Sequence, residues 1–237
     1  MSLYSTTKFI CAVLIVCSCV GAGFGQTRAR QRKDVIEAVR VCNRFKTLFA
    51  ENLDFDRAFE ATFVRNAARR REIAITEGEF NGDNLASVDT ATLVDAFKGR
   101  MEMLFLTMPL FSPETDEMAA TFFPPKFKEA LKREPPEAVS EFAAYAAQLK
   151  RDVAEFRAHL DQLAQRYPSV AERIRDFKRD FGKPIEPPAQ PVKPLIAYSR
   201  GHVLGLKEEY YQIGEYSVIR EGREMRIIGI RFFTRLF

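Results

Sequence analysis

The sequence predicts an α+β protein, in which a bundle of about five helices precedes a small C-terminal antiparallel β-meander. Apolar residues recur at three- and four-residue spacing as far as residue 182, and the pattern becomes strand-like from residue 195. Residues 183–194, which lie between the two patterns, contain five Pro. Hydrophobic residues make up 46% of the 237-residue chain, so it can bury a core and wholesale disorder is not expected.

The first 25 residues are typical of an export signal. A Lys precedes an almost wholly apolar run at 9–20, and Gly23 and Gly25 fit the −3 and −1 positions of a cleavage site. The apolar run is shorter than the roughly 20 residues that a membrane span needs. We therefore expect residues 1–25 to be a cleaved signal peptide and Gln26 to begin a periplasmic or secreted protein.

Two alternatives for this segment stay open, and both attach the protein to a membrane. Four cationic residues follow the apolar run within residues 28–33, which favours a cytoplasmic carboxyl side and an uncleaved anchor through residues 9–25. Cys19 follows a small residue inside the run, as in lipoprotein signals, so lipidation at Cys19 would also tether the chain. Membrane attachment is not the favoured expectation.

Cysteine usage fits an exported chain. Three of the four Cys lie within the signal segment, so the cleaved protein keeps only Cys42. A single Cys forms neither an intramolecular disulfide nor a structural zinc site by itself. Cys42 falls in a helical apolar pattern with Val39 and Phe45, which predicts a small core residue.

Residues 26–182 are predicted to be one helical domain. A surface loop at 76–84 and an irregular, Pro-rich connection at 110–136 are predicted to interrupt it. The first predicted helix is 33–50, and the second is capped by Asp54 and carries the apolar stripe Phe55, Phe59 and Phe63. The third starts at Ser87 or Asp89 and buries Leu93, Phe97 and Met101. The longest helix, 137–167, is opened by Pro136, and the last is capped by Ser169 and ended by Gly182.

Residues 183–194 are predicted to form a stiff, extended, proline-rich linker, and 195–237 the β-meander. Gly214 and Gly222 lie in its turns, where a positive φ would be useful. A meander of this size is marginal alone, so we expect it to pack against the helices or to extend a sheet of a partner. The predicted strands are 210–213, 216–220 and 225–233, with a further candidate at 195–198.

No catalytic or metal-binding pattern is recognised. The chain has two His: His159 has no nucleophile beside it in sequence, and Ser199 near His202 lacks the Gly-x-Ser-x-Gly elbow. Residues 77–82 loosely resemble the first half of a calcium loop, but Val88 stands where the closing Glu belongs. We therefore expect no cofactor, no metal and no enzymatic activity.

Two clusters of charged residues were considered as sites. The acidic cluster surrounds a helix start, which indicates capping; it comprises Glu51, Asp54, Asp56 and Glu60. The densest basic cluster has two interpretations, a solvated helix face or a contact for anions or a membrane. It comprises Arg65, Arg69, Arg70 and Arg71. Without residues 1–25 the net charge is 35 − 32 = +3, too mild to indicate nucleic acid.

These observations favour an exported, non-catalytic protein that serves as an interaction or scaffold module in the cell envelope, with a protein partner. The alternative is a carrier that binds a lipid or another apolar small molecule in a helical cavity lined by Phe and Met. That alternative depends on the 21 Phe and 6 Met, because such side chains suit adaptable pockets. An enzyme using carboxylates or the Ser199–His202 pair is a third hypothesis.

Overall fold

The computed structural model describes residues 29–78, 80, 85–110, 124–189, 192–198 and 207–230. Within them the predicted α+β architecture is confirmed, with seven α-helices rather than about five. The helices are α1 (29–52), α2 (Phe55–Thr62), α3 (Ala67–Glu77), α4 (Thr90–Thr107), α5 (Pro125–Lys132), α6 (Phe142–Arg166) and α7 (Pro168–Gly182). The strands are β1 (Leu195–Tyr198), β2 (Lys207–Ile213), β3 (Tyr216–Glu221) and β4 (Glu224–Ile230).

Side-chain caps begin three of the helices. The Asp54 carboxylate accepts the backbone N–H three residues later at 2.9 Å, and Asp89 does the same at 2.9 Å. Of the two predicted starts of α4, Asp89 is therefore correct. Asn66, which the sequence did not single out, caps α3 in the same way at 3.1 Å. These caps satisfy N–H groups that a helix leaves unpaired at its first turn.

The two C-terminal helices begin differently from the prediction. Pro136 does not open α6, because Ala138 is extended with ψ 128° and a 3₁₀ turn at Val139–Glu141 comes before the helix. Ser169 does not cap α7, which already begins at Pro168. Pro suits this first position because the N–H that it lacks would have no helical partner.

The structure describes only part of the connection predicted at 110–136, and the described part contains α5. The loop predicted at 76–84 begins later than expected, because α3 continues to Glu77. Residues 79, 81–84 and 111–123 lie outside the described residues.

The helices and the sheet share one apolar core. The Phe45 ring in α1 is fully buried, with its centroid 5.9 Å from Phe55 and 5.7 Å from Tyr216, the first residue of β3. Burying a ring of this size contributes roughly 1.5–3 kcal/mol. Cys42, one turn earlier, is also fully buried, as predicted, and burial raises the pKa of its thiol to about 12.

The sheet is antiparallel with the order β1-β2-β3-β4. Gly214 and Gly222 adopt positive φ values of 55° and 63° in two-residue turns, which confirms the predicted turn positions. The segment after α2 covers part of the outer edge of β4, where the Val64 N–H donates to the Ile227 carbonyl at 3.1 Å. Strand edges covered in this way are protected from pairing with other chains.

The proline-rich segment is tied to α1 where the structure describes it. The Asn43 side chain donates to the Ile185 carbonyl at 3.0 Å and accepts the Ile185 N–H at 2.7 Å. The boundaries 26–182, 183–194 and 195–237 stay a prediction.

Candidate functional site

Arg70, in the predicted basic cluster, is engaged inside the protein. Its guanidinium donates to both carboxylate oxygens of Glu60, at 3.2 and 2.9 Å, and to the Val64 carbonyl at 2.7 Å. It also lies 5.1 Å from the centroid of the Phe59 ring. Arg70 thus joins α3 to α2, and its side chain is only 18% exposed.

Arg71 joins α3 to the segment that precedes α4. It donates to the backbone carbonyls of Leu85 and Val88, the latter at 2.6 Å. Of the other members of the cluster, Arg65 is exposed and Arg69 is half-buried. Arg70 and Arg71 contact different elements, so these two do not form one cationic surface. The anion or membrane contact predicted for the four residues stays a prediction.

The predicted acidic cluster divides between capping and ion pairing. Asp54 caps α2, whereas Asp56 and Glu60 contact Lys98 of α4 at 2.7 and 3.3 Å. Burial alone would raise the pKa of Glu60, but the hydrogen bond and charge of Arg70, together with Lys98, outweigh it and lower the pKa below its usual value.

His159 lies half-buried among aromatic rings on α6. Its ring centroid is 5.2 Å from that of Phe127 and 6.4 Å from that of Phe156. Ser199 and His202, the other candidates for chemistry, lie outside the described residues. Across the part of the chain that the structure describes, no group of three or more His, Cys, Asp or Glu side chains could hold a metal ion.

The Phe stripe of α2 fills the core and does not border an open cavity. Phe55 and Phe63 both lie within 6 Å of the Phe59 ring, at 5.9 and 4.4 Å between centroids. Phe97 from α4 closes the other side at 5.8 Å. Any cavity for an apolar ligand must therefore lie away from these rings.

An interhelical pocket of about 80 Å³ lies between α3, α4, α5 and α6. The Tyr145 hydroxyl is buried there without a hydrogen bond of good geometry, although it faces Arg100 and Arg133, which partly offset the rise that burial causes in its pKa. The volume is far below the ~300–1,000 Å³ typical of ligand pockets. Its lining also includes Glu77, Met101, Met103, Leu104, Ala130, Leu131 and Leu149.

A second group of cationic side chains lies on an exposed surface, unlike Arg70 and Arg71, which are held inside the protein. Lys33, Arg40 and Arg44 are exposed on α1, and Arg223 is exposed in the turn between β3 and β4. We name these four residues the α1 cationic face. Among the described residues, its three Arg form no ion pair with any carboxylate, and Lys33 approaches only Glu37, at 3.9 Å.

The acidic side chains near the α1 cationic face are held by other arginines. Arg220 of β3 donates to Asp34 at 2.5 Å and to Glu37 at 2.7 Å. Arg226 of β4 forms an ion pair with Glu224 and donates to the Ala61 carbonyl at 2.8 Å. These two arginines thus hold all three nearby carboxylates, and none of the three pairs with an exposed Arg of the α1 cationic face.

Two shallow depressions follow the α1 cationic face and share Glu37 and Arg40. One, of about 280 Å³, lies between α1 and the β3–β4 turn, and the other, of about 420 Å³, lies toward the start of α1. Their apolar side chains are Ile36, Val41 and Met225. The surface is therefore cationic with small apolar patches, and it is open to a partner.

No protein family, curated protein or solved structure matches this chain. No helix among the described residues combines the length and the apolar character needed to cross a bilayer.

Reasoning from sequence missed the α1 cationic face and instead favoured the cluster of consecutive Arg. One signal was available, because Lys33, Arg40 and Arg44 recur at i, i+7 and i+11 and fall within about 20° of one line on a helix. The contribution of Arg223 had no local signal, since a turn of the sheet brings it to α1.

Proposed function

We propose that this protein is exported and acts without catalysis as an interaction module of the cell envelope, meeting an acidic partner surface through the α1 cationic face. One observation carries the proposal: Arg220 and Arg226 hold the nearby carboxylates, whereas Arg40, Arg44 and Arg223 are exposed and pair with no carboxylate among the described residues. Uncompensated, clustered charge steers association with a surface of opposite sign.

Export is supported by the sequence of residues 1–25, which combines an apolar run with a small-residue cleavage pattern. The burial of Cys42 agrees with it, because the one thiol that remains after cleavage is protected from the oxidising conditions outside the cytoplasm. Intact mass of the protein purified from its native compartment tests this step, and a mass that begins at Gln26 is expected.

A role without catalysis is supported by the structural use of polar groups that could serve in acid–base chemistry. Glu102 pairs with Arg157, which also donates to the carbonyls of Asn52 and Leu53, and Asp152 pairs with Arg133. Carboxylates committed in this way hold helices together.

Site-specific photo-crosslinking in the native host tests the interaction. A photoreactive residue at position 40 should give a discrete crosslinked species, and Arg44→Glu should abolish it by reversing a neighbouring charge. The matched control places the same residue at Lys150, an exposed cation on α6. If position 40 crosslinks no more than position 150, the α1 cationic face does not contact a protein partner.

A second candidate function is a carrier for an apolar molecule, and the Met and Leu side chains of the pocket between α3, α4, α5 and α6 support it. At about 80 Å³ this pocket would hold only a very small molecule, and Glu77, Arg100 and Arg133 also line it. Native mass spectrometry of freshly purified protein should then show a bound small molecule that is lost in Leu149→Phe, which fills the pocket. Protein that is always empty would eliminate this candidate.

A further inference from the structure

The cations of the α1 face are arranged as a line along one helix. With about 3.6 residues per turn and a rise of about 1.5 Å per residue, Lys33, Arg40 and Arg44 lie within about 20° of one line along the helix and span roughly 17 Å. Arg223 lies beside Arg40 and Arg44 on the depression between α1 and the sheet. The result is a long, exposed strip of positive charge rather than a concave site.

The strip begins only a few residues after the hydrophobic N-terminal segment in the sequence. Residue 29 is already helical, and the four peptide units from Gly25 to Ala29 reach at most about 14 Å. An export signal, an anchor or a lipidated Cys19 each places residues 9–25 in a membrane at some stage. The chain that carries the α1 cationic face therefore meets a membrane during export, and it stays tied to one if residues 9–25 are kept as an anchor or Cys19 is lipidated.

The composition of the strip indicates which acidic surface it fits. Cores of protein–protein interfaces are enriched in aromatic side chains, Met and Arg, and their Arg side chains are set among aromatic and apolar neighbours. Within the described residues, the one large hydrophobic side chain that is well exposed is Leu195, on β1. Ile36 and Val41 line the depressions beside the strip and are half-buried, which suits shallow contact among headgroups. Arg side chains bind phosphate oxygens through paired N–H groups.

We infer that the α1 cationic face binds the surface of an anionic phospholipid bilayer. The inference rests on the proposed function, because it names the acidic surface with which the interaction module associates. Binding is electrostatic: Arg40, Arg44 and Arg223 contact headgroup phosphates, Lys33 adds charge, and α1 lies along the bilayer plane. The body of the protein then projects from the membrane.

The test is flotation of the protein, purified from its native compartment, with two kinds of vesicle. One contains phosphatidylcholine alone, and the other contains phosphatidylcholine mixed with phosphatidylglycerol. We expect stronger partitioning onto the anionic vesicles, falling at least about tenfold in Arg40→Glu/Arg44→Glu. Added salt should weaken the binding, because it screens exposed charges.

Lys128→Glu/Lys132→Glu on α5 is the matched control, since it changes the net charge equally at exposed positions on another helix. It should retain most of the anionic binding. Arg40→Gln/Arg44→Gln should be intermediate, and circular dichroism with a thermal melt checks that every variant is folded. Equal loss in both charge-reversed pairs would mean a net-charge effect and would overturn the inference.

Failure of the inference is distinguishable from failure of the proposed function. Equal partitioning onto both vesicle types, or onto neither, overturns lipid binding. If position 40 then still crosslinks to one protein in the native host, the interaction module stands with a protein as its partner. If position 40 crosslinks to nothing and no vesicle binds, both proposals are wrong.

Discussion

The protein contains two groups of arginine that the fold treats in opposite ways. Arg70 and Arg71 are adjacent in sequence, yet each is held by acceptors inside the protein, one by Glu60 and the other by backbone carbonyls. Arg40 and Arg44 are dispersed in sequence, yet they lie on one exposed line of α1 without a carboxylate partner. Density of charge along the chain is therefore a poor guide to charge at the surface.

The difference has a simple physical basis. An arginine near a carboxylate and unpaired carbonyls is drawn into structural hydrogen bonds, because those acceptors are costly to leave unsatisfied. An arginine whose neighbouring carboxylates are already taken stays available to a partner. Arg220 creates the second situation at α1, since it occupies both Asp34 and Glu37.

The largest expected effect is that of Arg220→Ala, which removes this compensation. Asp34 is only 8% exposed and would keep just the Tyr211 hydroxyl, at 3.2 Å, so the free energy of unfolding should fall by about 3 kcal/mol. Glu37 would also be released and would weaken binding to anionic vesicles. Urea unfolding and flotation measure the two effects. Unchanged stability would show that Arg220 does not hold the acidic pair.

Arg70→Ala should have the next largest effect. It removes three hydrogen bonds and the contact over Phe59, so we expect a loss of about 2 kcal/mol in the free energy of unfolding. Arg40→Ala, the matched surface change, should alter stability by less than about 0.5 kcal/mol. Similar losses in the two variants, measured by urea unfolding, would contradict the division into internal and surface arginines.

Replacing an arginine by lysine keeps the positive charge but removes the planar guanidinium, and it should change the free energy of unfolding less than replacement by alanine. Arg71→Lys keeps the charge but loses the fork that reaches Leu85 and Val88, which should cost about 1 kcal/mol of stability. Arg44→Lys should leave stability unchanged and retain most vesicle binding, because only charge is required there. Thermal melts and flotation give the two readouts, and a stable Arg71→Lys protein would argue against a geometric role.

The smallest expected effect is a difference between Arg70→Ala and the unmodified protein in how the free energy of unfolding depends on pH. The pKa of Glu60 is lowered in the folded protein, so its contribution is present above the unfolded value of about 4.3 and is lost as the pH falls through the folded value. Arg70→Ala should therefore lose less stability than the unmodified protein between about pH 5 and pH 3. Arg40→Ala should keep the unmodified profile. Parallel profiles for Arg70→Ala and the unmodified protein would contradict the Glu60–Arg70 coupling.

Local features of the fold were predictable because they depend on neighbouring residues. Asp54 and Asp89 cap helices because their carboxylates reach a backbone N–H three residues away. Gly214 and Gly222 take positive φ because other residues rarely do so at low cost. The prediction failed at Pro136, where Ala138 is extended although nothing nearby in sequence required it.

The candidate site was less predictable, because its character depends on distant pairing. The spacing of Lys33, Arg40 and Arg44 on one helical line can be derived from sequence alone. Glu37 lies between these cations in the sequence, yet it does not pair with Arg40 or Arg44. The reason is its contact with Arg220, which comes 183 positions later and could not be foreseen from the local sequence. The pocket at Tyr145 likewise arises where four helices meet.

By itself the sequence determined the fold class, two of the helix caps, the turns of the meander, the burial of Cys42 and the export-like N-terminal pattern, since each is set by spacing or by residue type. The tertiary structure alone decided which arginines are satisfied inside the protein and which remain exposed. Ion pairing is a short-range interaction in space, effective within about 4 Å. At α1 the decisive pairs, which join Arg220 to Asp34 and Glu37, link residues more than 180 positions apart in the sequence.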